Sequence, residues 1–179
     1  VNRTVLDHLI NSGIMPAHSK EEVFLSRGKK RTLDASLDED LYQLLTRTEL
    51  FRQLNAGEFK ELFSEMQKRT LAEGEVLYRQ EDEADSMFVC LEGLLSSSVE
   101  TEEEGYVKVR TIRAGQYFGE GAVLGDQRRK TTITTNTEVL LYEITSEAFE
   151  PKLEQHSELR DQLQTSAGKS VDEVKWMVE

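Results

Sequence analysis

Gly115-Gln-Tyr-Phe-Gly-Glu-Gly-Ala-Val-Leu-Gly-Asp-Gln-Arg-Arg-Lys-Thr-Thr132 is the stretch whose reading decides both fold and chemistry. It joins a strand ending near Tyr117 to another starting near Thr131. Gly119 and Gly121, close together, let a backbone approach a ligand tightly. Glu120 through Leu124 are spaced for one helical turn, whose free N-terminal amides attract an anion. Arg128, Arg129 and Lys130 then concentrate positive charge, and arginine suits a phosphate diester because its planar fork engages two oxygens at once. Glu120 would oppose a phosphate unless it accepted a hydrogen bond from a ligand hydroxyl. An anion carrying a nearby sugar hydroxyl meets both demands.

Around this loop the apolar pattern is that of short strands. Val76-Leu-Tyr78, 86–91, 94–99, 106–112 and 139–144 are β-type runs punctuated by Gly74, Gly93, Gly105 and Gly115, and 131–137 is rich in β-branched residues. Many short strands at near-regular spacing predict a β-roll or jelly-roll barrel. Ser36-Leu-Asp-Glu39 and Asn55-Ala-Gly-Glu58 are capping-box patterns, followed by apolar faces from Leu41, Leu44 and Leu45, and from Phe59, Leu62, Phe63 and Met66. After Ser146, Phe149, Leu153, Leu159 and Leu163 predict C-terminal helices, which Ala167-Gly168 is expected to interrupt before a last capped turn or two. At the other end Val5, Leu6, Leu9 and Ile10 recur at helical spacing and stop at Ser12-Gly13. A short strand at Val23-Phe-Leu25 and a solvated basic linker, Arg27-Gly-Lys-Lys-Arg31, follow. The expected class is α+β, a β-roll flanked by N-terminal and C-terminal helices with a small α/β segment at the N-terminus. The expected boundaries are 1–30 for the end of an upstream α/β domain plus linker, 36–165 for the roll with its helices, and 166–179 for a helical tail.

Composition excludes several function classes. The 179-residue chain is 37% hydrophobic and 31% charged, a globular balance. No apolar run approaches the ~20 residues that span a bilayer. A start at Val1 without a leader reads as a fragment of a longer protein. Cys90, the single cysteine, argues for a reducing compartment, and its apolar setting at 87–91 for a packing role. The net charge of −12 opposes nucleic-acid reading, which needs a basic footprint. His8, His18 and His156 all lie outside the β region, so no metal site inside the roll is expected, and no nucleophile–base arrangement marks an enzyme.

The stretch from Phe118 to Thr132 resembles the phosphate-binding cassette of cyclic-nucleotide-binding domains. Gly119, Glu120, Ala122, Arg129 and Thr132 occupy matching places, and Glu73-Gly-Glu75 with 80–93 is similar to the family's turn-and-strand pattern. The resemblance spans roughly residues 40–165. It implies a regulatory cAMP or cGMP ligand, with Arg129 on the exocyclic phosphate oxygens and Glu120 on the ribose 2′-hydroxyl. Amides around Gly119, Gly121 and Ala122 complete the cradle, Thr131 or Thr132 adds a hydroxyl, and Phe118 and Lys130 complete the expected site. Against the pattern, Glu81 replaces a common turn glycine, Arg128 a frequent proline, and Gly121 a larger apolar residue. Lys130 stands where guanine-preferring relatives carry Thr or Ser, which favours cAMP over cGMP.

The flanks resemble a more particular group. Residues 5–14 followed by 23–27 are similar to the end of the soluble domain of small-conductance mechanosensitive channels, and 139–159 to bacterial channels of that superfamily with a C-terminal cyclic-nucleotide domain. This implies a module at the cytoplasmic face of the cell membrane that gates an upstream channel domain of the same chain, homo-oligomeric at full length. Its C-terminal helices would close over the base, with Leu163, Val171 and Trp176 as candidate caps. The alternative is the regulatory domain of a soluble effector such as a kinase or acyltransferase. A transcription factor of the family needs a helix-turn-helix domain after the roll, for which the short acidic remainder is a poor match.

Overall fold

The computed structural model describes residues 38–46, 48–101 and 105–178, with side chains described between 41 and 169. The expected α/β segment and linker, the capping box beginning at Ser36, and the side chains of Val171 and Trp176 lie outside the described residues. In chain order come α1 (Asp38–Leu45), a 3-10 turn (Glu49–Gln53), α2 (Ala56–Glu65), β1 (Gln67–Leu71), β2 (Val76–Tyr78), β3 (Ser86–Glu92), β4 (Leu94–Thr101), β5 (Gly105–Arg113) and β6 (Tyr117–Phe118). A second 3-10 turn (Ala122–Leu124), β7 (Thr132–Thr135), β8 (Val139–Thr145), α3 (Ser146–Gln155) and α4 (Ser157–Val178) follow.

The strands form two antiparallel sheets, ordered β1-β8-β3-β6 and β2-β7-β4-β5. Two-residue alternation explains the layering. On β3 and β8, Phe88, Cys90, Val139 and Leu141 pack with Leu95, Ile112, Phe118 and Ile133 between the sheets. The intervening Met87, Val89, Leu91, Leu140, Tyr142 and Ile144 face the other way, against Leu41, Phe59, Leu62, Phe149, Leu153, Leu159 and Leu163 of the helices. These two strands are therefore buried on both faces, and the first sheet is the middle layer between helices and second sheet. The expected β-roll with flanking helices is the fold observed. Cys90 belongs to the inter-sheet core, where burial pushes its thiol pKa up to about 12 and leaves it inert.

The start of α2 follows the expected chemistry. Asn55 Oδ1 accepts from the amides of Gly57 (2.9 Å) and Glu58 (3.0 Å), and Glu58 Oε2 accepts from the Asn55 amide at 2.9 Å. Two features differ from expectation. First, β1 has no apolar alternation: four of its five residues are exposed, and it is held by backbone pairing along β8. Second, Ala167-Gly168 does not interrupt the last helix, because α4 runs unbroken to Val178. A helical glycine costs ~1 kcal/mol relative to alanine, and the full burial of Leu159 and Leu163 outweighs that. No helix among the described residues is long and apolar enough to cross a membrane.

Candidate anion-binding cleft

The loop after β6 is shaped by what its glycines leave out. Gly119 has φ +75, a left-handed value, and a Cβ placed on it would lie 2.9 Å from Arg129 Nη1 and 3.4 Å from the Tyr78 hydroxyl. Backbone and space both demand glycine there. The expected helical turn is a 3-10 turn, in which the Ala122 amide donates to Gly119 O at 3.2 Å and Leu124 to Gly121 O at 3.1 Å. A Cβ on Gly121 would collide with the Asp126 carboxylate. That explains the missing apolar side chain: Asp126 occupies its room and pairs with Lys130 Nζ at 2.6 Å.

The three cations of the loop have separate fates. Lys130 is tied to Asp126, and Arg128 is exposed with Nη1 donating to Glu81 O at 3.0 Å. Arg129 alone is buried, 6% exposed. Its Nη1 donates to Ser86 O at 2.6 Å, its Nη2 to Ser86 Oγ at 3.1 Å, and its Cζ lies 4.2 Å from the centroid of the Tyr78 ring. Its Nε is buried without a hydrogen-bond partner, and among the described residues no carboxylate forms an ion pair with it. The turn after β2 clamps the backbone here: Glu81 N donates to Arg129 O at 2.8 Å, and Arg129 N to Asp82 O at 2.9 Å. Making that turn forces Glu81 to φ 68, the left-handed region where a glycine would rest unstrained.

Glu120 is buried too, 3% exposed, and its Oε1 accepts a hydrogen bond from Ser166 Oγ of α4 at 2.9 Å. A buried cation and a buried carboxylate that do not pair with each other therefore share one cleft. The cleft encloses about 610 Å³, part of it open to solvent. Residues 118–122 and 129–131, eight of the nine expected site residues, line it. Thr132, the ninth, is buried outside the lining, with Oγ1 accepting from the Gln80 amide at 3.0 Å. Leu163 is not a cap over the cleft but a core residue with no exposed surface. From α4 it is Ala167 that lines the cleft, beside Ser166. Tyr78 and Arg110 also line it. Sequence reading placed both only in strands, because nothing local marks which face of a strand meets a cleft built by distant segments.

A family model described as cyclic nucleotide-binding domain matches residues 68–156. The cAMP-dependent protein kinase regulatory subunit of Blastocladiella emersonii is 31% identical over 108 residues, which cover 60% of this chain and 27% of that protein. A putative potassium channel protein of Rhodopseudomonas palustris is 32% identical over 94 residues, 51% of this chain and 22% of the channel. The chain thus spans less than a third of the length of these curated relatives. Among solved structures, the regulatory domain of Toxoplasma gondii PKA with cAMP matches with a TM-score of 0.60 at 24% identity, covering 66% of this chain and 45% of that one. That likeness is one of fold.

Proposed function

We propose that this chain, whose residues 68–156 match the cyclic nucleotide-binding domain model, binds a cyclic nucleotide in its cleft, cAMP in preference to cGMP, and that the domain regulates rather than catalyses. One observation carries the reading. Arg129 is buried, lines the cleft, and has no ion-pair partner among the described residues. An uncompensated buried charge costs several kcal/mol, and a cyclic phosphodiester supplies one negative charge with two exocyclic oxygens for that fork. A guanidinium has five N–H donors; Ser86 takes two, leaving three for the ligand. Glu120 accepts the ribose 2′-hydroxyl, the amides of Gly119 and Gly121 complete the cradle, and Thr131 adds its hydroxyl. The Ala122 amide is already committed to Gly119 O. The cAMP preference rests on Lys130, which stands in place of a Thr or Ser and is held by Asp126.

Output runs through α4. Ligand at Glu120 meets the carboxylate that Ser166 already uses, so binding biases the position of the helix by the difference in affinity between its arrangements. In a longer protein, that movement would bias a membrane channel formed by an upstream domain of the same chain, homo-oligomeric, with this domain on the cytoplasmic face. The potassium-channel relative supports this reading. A parent in the small-conductance mechanosensitive superfamily rests on the resemblance of 5–27 and 139–159 alone. The kinase regulatory subunit supports the second reading, a soluble effector. Membrane spans encoded in the same reading frame would favour the channel. Calorimetry with cAMP and cGMP side by side tests the ligand: saturable binding of cAMP, weaker for cGMP and weakened roughly 30- to 1,000-fold by Arg129→Ala, is expected. A chain that binds neither nucleotide overturns the assignment.

A further inference from the structure

Tyr78 ends β2, where the pairing with β7 slips by one residue: Val76 sits opposite Thr134, but Tyr78 sits opposite Ile133. Such a bulge re-aims the side chain that follows it. The Tyr78 ring lies 5.9 Å from Phe88 and 6.5 Å from Phe118, an apolar setting in which phenylalanine would pack equally well. On its other side the Arg129 guanidinium carbon stands 4.2 Å from the ring centroid. The hydroxyl end reaches the phosphate-binding loop, close to the Cα of Gly119, with the Thr131 side chain as polar neighbour. The ring therefore backs Arg129, and the oxygen stands among the residues that form the cradle. A phenol at such a place usually finds a partner for its O–H.

We propose that Tyr78 is a ligand-contacting residue of this cleft, its ring seating the Arg129 guanidinium and its hydroxyl donating a hydrogen bond to an exocyclic oxygen of the cyclic phosphate. The assignment rests on the cyclic-nucleotide reading above. It adds a donor from a strand outside the 118–132 loop, at a position where the sequence pattern singled out nothing. Burial raises the phenol's pKa, so it keeps its proton and remains a donor throughout the physiological range.

The experiment titrates wild type, Tyr78→Phe and Tyr78→Leu by calorimetry with cAMP and with its two phosphorothioate diastereomers, in which sulfur replaces one or the other exocyclic oxygen. Tyr78→Phe keeps the aromatic platform and should weaken cAMP about 10- to 30-fold, the lower end for the loss of one hydrogen bond to a charged acceptor. Sulfur accepts hydrogen bonds poorly, so the diastereomer modified at the oxygen that Tyr78 contacts should lose less on Tyr78→Phe than cAMP does. The other diastereomer should lose as much as cAMP. Tyr78→Leu, which also removes the platform, should weaken all three ligands further, on the order of 100-fold for cAMP. Equal losses for all three ligands in Tyr78→Phe, or cAMP binding unchanged within about 2-fold, would overturn the hydrogen bond while leaving the cyclic-nucleotide reading in place. Wild type that binds no cyclic nucleotide would overturn both.

Discussion

Arg129→Lys separates a charge from a fork. Lysine preserves the positive charge but gathers its donors on one nitrogen, whereas the arginine places Nη1 on Ser86 O and Nη2 on Ser86 Oγ and still has three N–H groups left. One ammonium cannot hold both Ser86 oxygens and two phosphate oxygens. It also gives up the flat stacking of a guanidinium on the Tyr78 ring, 4.2 Å away. Losing one charge-assisted hydrogen bond of the pair costs about 1.5–3 kcal/mol, which converts to roughly 10- to 150-fold in cAMP affinity. Arg129→Ala, which removes the charge as well, should cost about 2–4 kcal/mol, or roughly 30- to 1,000-fold. The lysine variant should thus fall much nearer to alanine than to wild type. Calorimetric titrations of the three proteins in one buffer measure the differences, and thermal unfolding of each confirms that the variants are folded. If lysine binds within about 3-fold of wild type while alanine fails, net charge alone holds the anion and the argument from the fork is wrong.

Glu120→Ala should weaken cAMP by less than Arg129→Ala does and should erase discrimination against 2′-deoxy-cAMP; a variant that still discriminates between the two removes Glu120 from the ribose. Gly119→Ala introduces a side chain at φ +75 and within 2.9 Å of Arg129 Nη1, so it should cost about 1–2 kcal/mol of stability and also weaken cAMP. Denaturant unfolding and titration of that variant read the two effects separately, and unchanged affinity would show that the guanidinium tolerates displacement. Glu81→Gly relieves the left-handed strain at φ 68 and gives back part of the gain as glycine's greater unfolded entropy. A net gain of about 0.5–1 kcal/mol, seen as a melting temperature ~2–3 °C higher, is expected; a lower melting temperature would mean that the Glu81 side chain contributes more than the strain costs.

The fold was legible where burial imposes a period and illegible where it does not. β3 and β8 read as apolar runs because both of their faces are covered, one by the second sheet and one by helices. β1 escaped because an exposed strand held by backbone pairing leaves no trace in side-chain hydrophobicity. Gly168 misled for the opposite reason: its local preference is real but small beside the packing of Leu159 and Leu163 one and two turns earlier. Within the cleft, the continuous segment 118–132 was readable because glycines, carboxylate and cations lie in sequence order. Tyr78, Ser86 and Ser166 were not. Each comes from a different element and meets the loop through tertiary contacts, and a tyrosine or serine carries no mark of the partner it will find.

With Glu120 proposed to take the ligand hydroxyl, its contact with Ser166 would tie ligand chemistry to helix position, and its magnitude limits what it can achieve. A hydrogen bond to a charged acceptor differs between two helix arrangements by about 1.5–3 kcal/mol at most, a bias of roughly 10- to 150-fold. Taking a two-state equilibrium from 1:99 to 99:1 requires about 5.5 kcal/mol of differential affinity. Glu120 alone therefore tilts the helix without throwing it. The larger share has to come from a group that gains more on ligand binding. Arg129 has that capacity on the proposed reading, since its buried charge would go from no ion pair to a bidentate one. Its connection outward is short: Ser86, which holds both Nη atoms, adjoins Asp85, whose carbonyl accepts from both the amide and the hydroxyl of Ser146 at the start of α3, 2.7 and 2.8 Å away. Ser146 Oγ is also within 3.1 Å of Ala122 O in the 3-10 turn. A phosphate bonded to the three remaining N–H groups of Arg129 would thus act through Ser86 and Asp85 on α3, and through α3 on α4, by a route separate from that of Glu120.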